Sequence, residues 1–517
     1  MTDHSANNKR IAKNTMMLYV RMLVLMLLGF YTSRVVLSSL GVVDYGVYNV
    51  VGGIVSIFSI LTTALSGTTQ RFITIALGKN DLNKLKDTFS VGFSIHLIIS
   101  FFVLICIEIV GLYYLYNYAV IPDDRMAVAF WVFQISVLTA ILSIINVPFH
   151  GTLIAHEKMS AFAFFSIIDV VVKLLICFVL PYTVYDKLIL YAILVCISSV
   201  FNFLCMQIYC VRNFEEVRYK LSWNKQMLSS MFGMTAWSFF DKIVYVGFAQ
   251  GIVLLTNFFF GPVVNGASSI AAQGCNAVNQ FVQNFQVAIN PQITKSYSKG
   301  ELEHMHKLVI RSAKYSCFLL LYFVNPAFFC AETMLKVWLE NVPQHAVLYF
   351  KLSLVLSLIN AIINPLQVSN MACGKVKKYF IVRDSILLLV LPLTYFVYEK
   401  GGAPEFSVIV NIVLSTIVML VGVKVLQSQI GLSFFSFFNE VIIKVVLTTF
   451  LSVFFTLLFF EFCSANEYLK MIMTLIFATI ATSLCVFVIG LNYKEKQFLC
   501  DNINRFFRKN IIRIKHD

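Results

Sequence analysis

The stretch TFSVGFSIHLIISFFVLICIEIVGLYYLY (88–116) decides what kind of protein this is. It holds one acid, Glu108, and no lysine or arginine. A helix needs about 20 mostly apolar residues to cross a bilayer, and this run is longer. The same ruler, moved outward along all 517 residues, marks fourteen spans. They are 15–38, 47–65, 88–116, 127–147, 161–181, 187–210, 228–258, 264–289, 312–335, 346–366, 379–398, 406–426, 441–461 and 468–491. Gly41–Gly46, Pro122–Arg125, Gly261–Gly266 and Gly401–Pro404 punctuate them. Composition agrees. Hydrophobic residues make up 59% of the chain, against about 45–50% in a soluble domain, and charged residues only 13%. These values exclude a disordered chain, a disulfide scaffold and a nucleic-acid binder built on a basic fold. Most of the 12 cysteines lie in apolar runs without any C-x-x-C pair, and read as small hydrophobes. The polar N-terminus leads into a first apolar run with no small-residue cleavage site, which reads as a retained helix.

The formal charge of +14 has a place. With the N-terminus inside, thirty of the 40 basic residues fall on cytoplasmic segments. Arg125, Lys187, Lys336, Lys400 and Lys470 fall outside. Positive charge marks the cytoplasmic side, so this asymmetry predicts a multi-pass protein with both termini cytoplasmic. It also predicts short outer loops with no room for an extramembrane catalytic domain.

The chain repeats itself. Slid along its own length, it lays Gly41, Val43 and Gly46 on Gly261, Val263 and Gly266, and Ile73-Thr74 on Ile293-Thr294. In nearly the same register Pro148, Ala155 and Lys158 fall on Pro365, Ala372 and Lys375. The unit is six helices, an even number, so both copies enter the membrane from the same side. The expected fold is an all-α polytopic membrane protein of about 14 transmembrane helices. It comprises a lobe over 1–220, a second over 221–430, and helices 13–14 with a basic tail over 431–517. In transporters built from parallel repeats the substrate site lies between the halves.

The stretches YTSRVVLSSLGVVDYGVYNVVGGI (31–54), TTQRFITIALGKND (68–81) and LIAHEKMSAFAFFSIIDVVVKLL (153–175) resemble the polysaccharide-flippase branch of the MOP superfamily. That superfamily also holds the MATE drug exporters. NPQITKSYSKGE (290–301) is similar to the second-half counterpart. The resemblance implies two six-helix, MATE-like lobes around a central cavity. It implies a lipopolysaccharide or O-antigen type flippase of the bacterial plasma (inner) membrane that carries undecaprenyl-diphosphate-linked oligosaccharide to the outer leaflet. The expected partners are that lipid-linked substrate, the bilayer, and a polysaccharide polymerase with other envelope-synthesis proteins, with no nucleic acid. The competing readings are a cation-coupled MATE-type multidrug exporter and, behind it, a polyisoprenoid-dependent membrane glycosyltransferase or polymerase.

Charge inside a span costs about 2.5–3.5 kcal/mol on insertion scales, so such residues are candidates for function. Arg21, Lys242, Lys173 and Arg34 are candidate diphosphate ligands, a guanidinium offering a fork and an ammonium a point charge. Each also has a plainer reading: Lys173 stands i,i+4 from Asp169, and Arg21 and Arg34 lie near helix ends and can snorkel. Arg21 and Asp241 share one repeat position, with Lys242 adjacent. The eighth span carries Gln273, Asn276, Gln280, Gln283 and Asn284 on one face. These amides suit sugar hydroxyls, or alternatively helix–helix bonding. Arg71 is a candidate cytoplasmic gate. Asp241, Asp169 and Glu108 are candidates for coupling to H⁺ or Na⁺. His156-Glu157-Lys158 reads as a solvated loop. No motif for ATP hydrolysis, covalent catalysis or metal binding stands out, so neither enzyme activity nor a cofactor is expected.

Overall fold

The structure is a computed structural model that describes residues 2–57, 59–117, 121–218, 225–339, 342–493 and 495–497. Some residues within those helices, mostly over 2–12 and between 29 and 65, have undescribed side chains. The described chain is helical throughout, and eleven of its helices are long and apolar enough to cross a membrane. The protein is a multi-pass membrane protein, for which helices are the natural solution because hydrocarbon offers backbone amides no other partner.

In chain order the helices are α1 (Thr2–Ile57), α2 (Ser59–Gly78), α3 (Leu82–Asn117), α4 (Met126–Ala155), α5 (Met159–Val179) and α6 (Lys187–Asn213). The second series is α7 (Lys225–Gly261), α8 (262–298), α9 (Leu302–Phe329), α10 (Ala346–Cys373), α11 (Val376–Glu399) and α12 (Phe406–Ile430). The last pair is α13 (Phe434–Phe462) and α14 (Glu467–Gly490). Eleven expected spans coincide with the eleven apolar helices. Spans 15–38 and 264–289 lie within helical backbone as well. Span 47–65 and the Gly41–Gly46 punctuation fall largely outside the described side chains. The expected break near Gly261 is real: that residue takes φ 78°, ψ −178°, a conformation open to glycine alone. Asp81 and Asp186 cap α3 and α6, accepting from the amides of Lys84 and of Leu188 and Ile189.

The repeat survives in backbone detail. The α2–α3 turn places Asn80 at φ 51°, and its mate in the α8–α9 turn, Gly300, at φ 77°. The α4–α5 turn places Glu157 at φ 57°, and its mate Gly374 at φ 76°.

By internal contacts the chain forms two compact units. The first comprises Met1–Gly247, Gln283–Leu308 and Val368–Asp384. Its core runs along α1, α3, α4 and α6 through Val51, Val103, Phe133 and Leu188. A second cluster about Phe89, Phe149, Phe165 and Phe214 packs α3–α6 where the basic loops converge. His156 and Glu157 correct the expectation of a solvated loop. His156 stacks on Phe214 at 4.2 Å and pairs with the buried Glu216 at 2.5 Å, and Glu157 is itself buried. The turn is tight enough to press both side chains inward.

The second unit comprises Phe248–Val282, Val309–Gln367 and Ser385–Asp517. Here α9 is bound to the final helix pair by polar groups. Asn325 Nδ2 donates to Thr456 Oγ1 at 3.0 Å and to Thr482 Oγ1 at 3.1 Å. Lys314, 1% exposed, bonds Glu495 at 2.7 Å. Between them Gly490 admits the Phe318 ring, which would stand 2.5 Å from a Cβ there. Burial pushes the Glu495 carboxyl up. The Lys314 ammonium, the Asn492 amide and the Tyr315 hydroxyl outweigh that and hold it below the usual carboxylate range. A carboxylate favoured in this way stabilises the fold above the unfolded value of about 4.3, and that contribution disappears as pH falls through the lowered native value. Lys314→Met should therefore cost about 3–5 kcal/mol near neutrality and flatten the acid limb of the melting-temperature profile. Thermal unfolding in detergent across pH measures both.

Candidate functional site

Polar residues at helical spacing build a cavity of about 270 Å³ inside the first unit. The α4 helix presents Ser143, Asn146 and His150, the α5 helix Ser166, Asp169 and Lys173, and the α6 helix Ser199 and Asn202. The α1 helix adds Arg21. Steps of three and four residues put each set on one helix face. Lys173 bonds Asp169 at 2.7 Å, so that pair is neutral. His150 lies near Asn146, 3.4 Å between nitrogens, and meets Phe162 edge-on. Arg21 is different. Its guanidinium lies over the Phe162 ring, 4.6 Å from the centroid. Among the described residues it has no carboxylate partner, and its buried Nε has no hydrogen-bond partner. With Lys173 paired to Asp169, the formal charge of the cavity rests on Arg21.

A second polar centre joins α7 and α11 in the same unit. Arg383 Nη2 lies 2.7 Å from Asp241 Oδ1, and its Nε lies 3.4 Å from Asp384 Oδ1. Lys242 Nζ lies 3.6 Å from Asp241 Oδ2. Asp241 and Asp384 are 1% and 2% exposed. Two cations and two anions balance. The charges of the two centres stand on corresponding helices of the two copies, α1 and α5 in the first and α7 and α11 in the second, and the centres are of opposite construction. In the first copy the cation stands on α1 and the acid on α5. In the second, α7 supplies an acid and a lysine, and α11 adds arginine and another acid.

Arg21, Lys173 and Asp169 thus come together in the cavity. Lys242 and Asp241 do not line it, and belong to the second centre. Arg34 lies outside the described side chains. Glu108 sits in a π-turn of α3 and accepts from Gln134 at 3.0 Å. On α8, Gln273, Asn276, Gln280 and Gln283 are exposed and Asn284 half-buried, whereas Asn279 on another face bonds Ser357 of α10 at 3.0 Å. Arg71 donates to the Ala372 carbonyl at 3.0 Å. Among the described residues no group of three His, Cys, Asp or Glu side chains could hold a metal ion. The sequence reading missed Arg383 and Asp384, which stand at the edge of a span and read as membrane-end charges. It missed His150 and Asn146 too, although their spacing with Ser143 was a usable signal.

A third pair recurs in both copies. In the first unit Arg125 binds Asp44 and, at 2.7 Å, Asp186. In the second unit His345 binds Glu405 at 2.6 Å, and these two are the repeat mates of Arg125 and Asp186.

Residues 19–179 match the MatE family model. No curated protein matches the chain. Among solved structures, a MATE crystal structure in complex with MaD3S superposes with TM-score 0.71 at 14% identity, covering 82% of this chain and 97% of that one. The Vibrio cholerae MATE transporter VcmN, in a mutant form, gives 0.68 at 15%, covering 83% and 99%. A MOP-superfamily transporter of Pyrococcus furiosus, for which a reverse polarity of the binding pocket suggests a different function, gives 0.69 at 14%, covering 82% and 96%. The relatives are matched almost whole, and this chain is longer.

The two centres should respond differently to substitution. Asp241→Asn strands the buried Arg383 and should cost about 3–5 kcal/mol. Arg21→Ala removes only a cation–π contact and should cost about 0.5–2 kcal/mol. Thermal unfolding of the purified variants compares them. Both centres stand on one framework: residues 19–179 match MatE, and the chain has the fold seen in the MATE transporters.

Proposed function

We propose that this protein is a flippase that moves undecaprenyl-diphosphate-linked oligosaccharide from the inner to the outer leaflet of the bacterial plasma membrane, supplying surface polysaccharide synthesis. The observation that carries this reading is the surplus guanidinium of Arg21 in a polar cavity. A half-buried cation on the face of a phenyl ring attracts a diphosphate and repels cationic drugs. The serine and asparagine groups around it offer hydrogen bonds to an anionic, hydroxylated cargo. The exposed amides of α8 supply donors and acceptors along the helix for sugar hydroxyls. Lys173 is already neutralised by Asp169, and Lys242 shares Asp241 with Arg383, so both are weaker diphosphate ligands than Arg21. Movement by alternating access follows from the parallel repeat. Asp241 and Asp384, buried and close, are the coupling candidates, with Glu108 behind them. The excess of basic residues on alternate segments supports cytoplasmic termini, on the side where such a lipid-linked substrate is assembled.

The second reading, a cation-coupled exporter of MATE type, is favoured by Asp169 in the same cavity. It requires Lys173 to release that carboxylate to a cationic cargo. Lipid extraction from cells lacking the gene separates the two. A flippase leaves undecaprenyl-linked oligosaccharide accumulated on the inner leaflet, cured by the wild-type gene and not by Arg21→Ala at equal protein level. If no such lipid accumulates and sensitivity to cationic dyes changes instead, the exporter stands.

A further inference from the structure

Four segments of the first unit converge where the basic loops lie. The end of α2 and the α4–α5 turn come from the first copy of the repeat. The end of α8 and the α10–α11 turn come from the second. Arg71 at the end of α2 reaches the turn of the other copy. Its Nη2 donates to the Ala372 carbonyl at 3.0 Å, and it lies so close over Gly374 that a Cβ there would stand 2.5 Å from it. Gln292 at the end of α8 makes the reciprocal contact. Its Nε2 donates to Glu157 Oε1 at 2.6 Å, with Gln292 3% and Glu157 6% exposed. Glu157 and Gly374 are repeat mates, and Arg71 falls one position before Gln292 in the same alignment of the copies. The two contacts therefore occupy corresponding places in the two copies.

Gly78 and Ser298 fix the symmetry. They are repeat mates, and they touch: a Cβ on Gly78 would overlap Ser298 Oγ. A residue meets its own mate only beside the axis that relates the copies. That axis passes through this seam, and each latch flanks it. Ile154 and Met159 of the α4–α5 region form a buried apolar cluster with Ala288 of α8 and Leu18 of α1, and Met371 Cε packs 3.2 Å from the Cβ position of Gly67. The seam is dry.

We propose that the paired contacts Arg71–Ala372 and Gln292–Glu157 form the inner gate of the transporter, closed here, and that both break when cargo enters from the inner leaflet. The cargo's identity rests on the flippase reading; the gate does not. Neither contact is a fixed weld. One is an arginine on a helix-end carbonyl, the other an amide on a carboxylate, and each trades for water when the copies part.

Cys373, half-buried beside Ala372 with its thiol on the Ser369 carbonyl at 3.0 Å, is a native reporter. Purified protein in nanodiscs is treated with a maleimide, and labelling of Cys373 is followed by peptide mass spectrometry. Gln292→Glu sets two buried carboxylates against each other, and Arg71→Ala removes the guanidinium over Gly374. Each should speed labelling about tenfold by raising the open population. The swap Glu157→Gln with Gln292→Glu rebuilds an amide–carboxylate pair and should restore the slow rate. Unchanged labelling in both single variants, or a swap as fast as Gln292→Glu alone, overturns the gate. Buried Cys196, in the core of the same unit, controls for unfolding. If it labels equally fast in a single variant, the milder Glu157→Gln is read in its place, and labelling at the wild-type rate there overturns the proposal. A gate that opens as described in a protein whose loss accumulates no lipid-linked sugar would leave the gate and remove the flippase.

Discussion

Charge held out of water is the constraint on which this molecule depends. Hydrocarbon gives a buried ion no solvent, so each must find a countercharge, an aromatic face or a wet cavity. Asp241 and Asp384 find Arg383. Lys314 finds Glu495, and Lys173 finds Asp169. Arg21 finds only the Phe162 ring and a cavity. Two of the balanced groups tie distant segments together and the third lies along α5, whereas Arg21 has no carboxylate among the described residues.

The two copies of the repeat show how such a constraint diverges. Both keep the turn geometry, with left-handed residues at matched positions, because backbone paths are shared. Their charges do not match. One copy puts arginine on its first helix and acid on its fifth, and the other puts acid on its first and arginine beside acid on its fifth. The pair between Arg125 and Asp186 becomes His345 and Glu405. Position is inherited while chemistry drifts, since a helix pair needs opposite charges but not a particular order of them.

Much of this was legible in the sequence. Apolar length marked the spans, since lipid imposes a minimum on any crossing helix. The repeat was visible in Gly41, Pro148 and Lys158 and their mates, where turns restrict residue choice. Arg21 and Lys173 stood out as cations in apolar runs and do meet in one cavity. What failed was partnership between distant segments. Lys242 reads as a candidate diphosphate ligand, and nothing in the sequence shows Arg383 arriving from a far-off helix to share Asp241. His156 and Glu157 looked solvated because hydrophilic letters in a short turn carry no record of which way the turn faces. Charge reveals that a partner is needed, and only the fold reveals who it is.

The polar seam between α9 and the final helix pair bears on how the chain is made. The apolar window of α9 has a mean hydropathy of 1.2, the lowest of the eleven spans, and the helix carries Lys314 and Asn325 toward partners on the last helices and the segment after them. Those partners emerge from the ribosome well after α9. Between its own insertion and theirs, α9 is a reluctant membrane helix with an unanswered ammonium and amide. The lowest apolar content of the eleven spans thus goes with polar partners supplied from α13, α14 and the segment after them, so that apolar length alone does not account for the place of α9 in the bilayer.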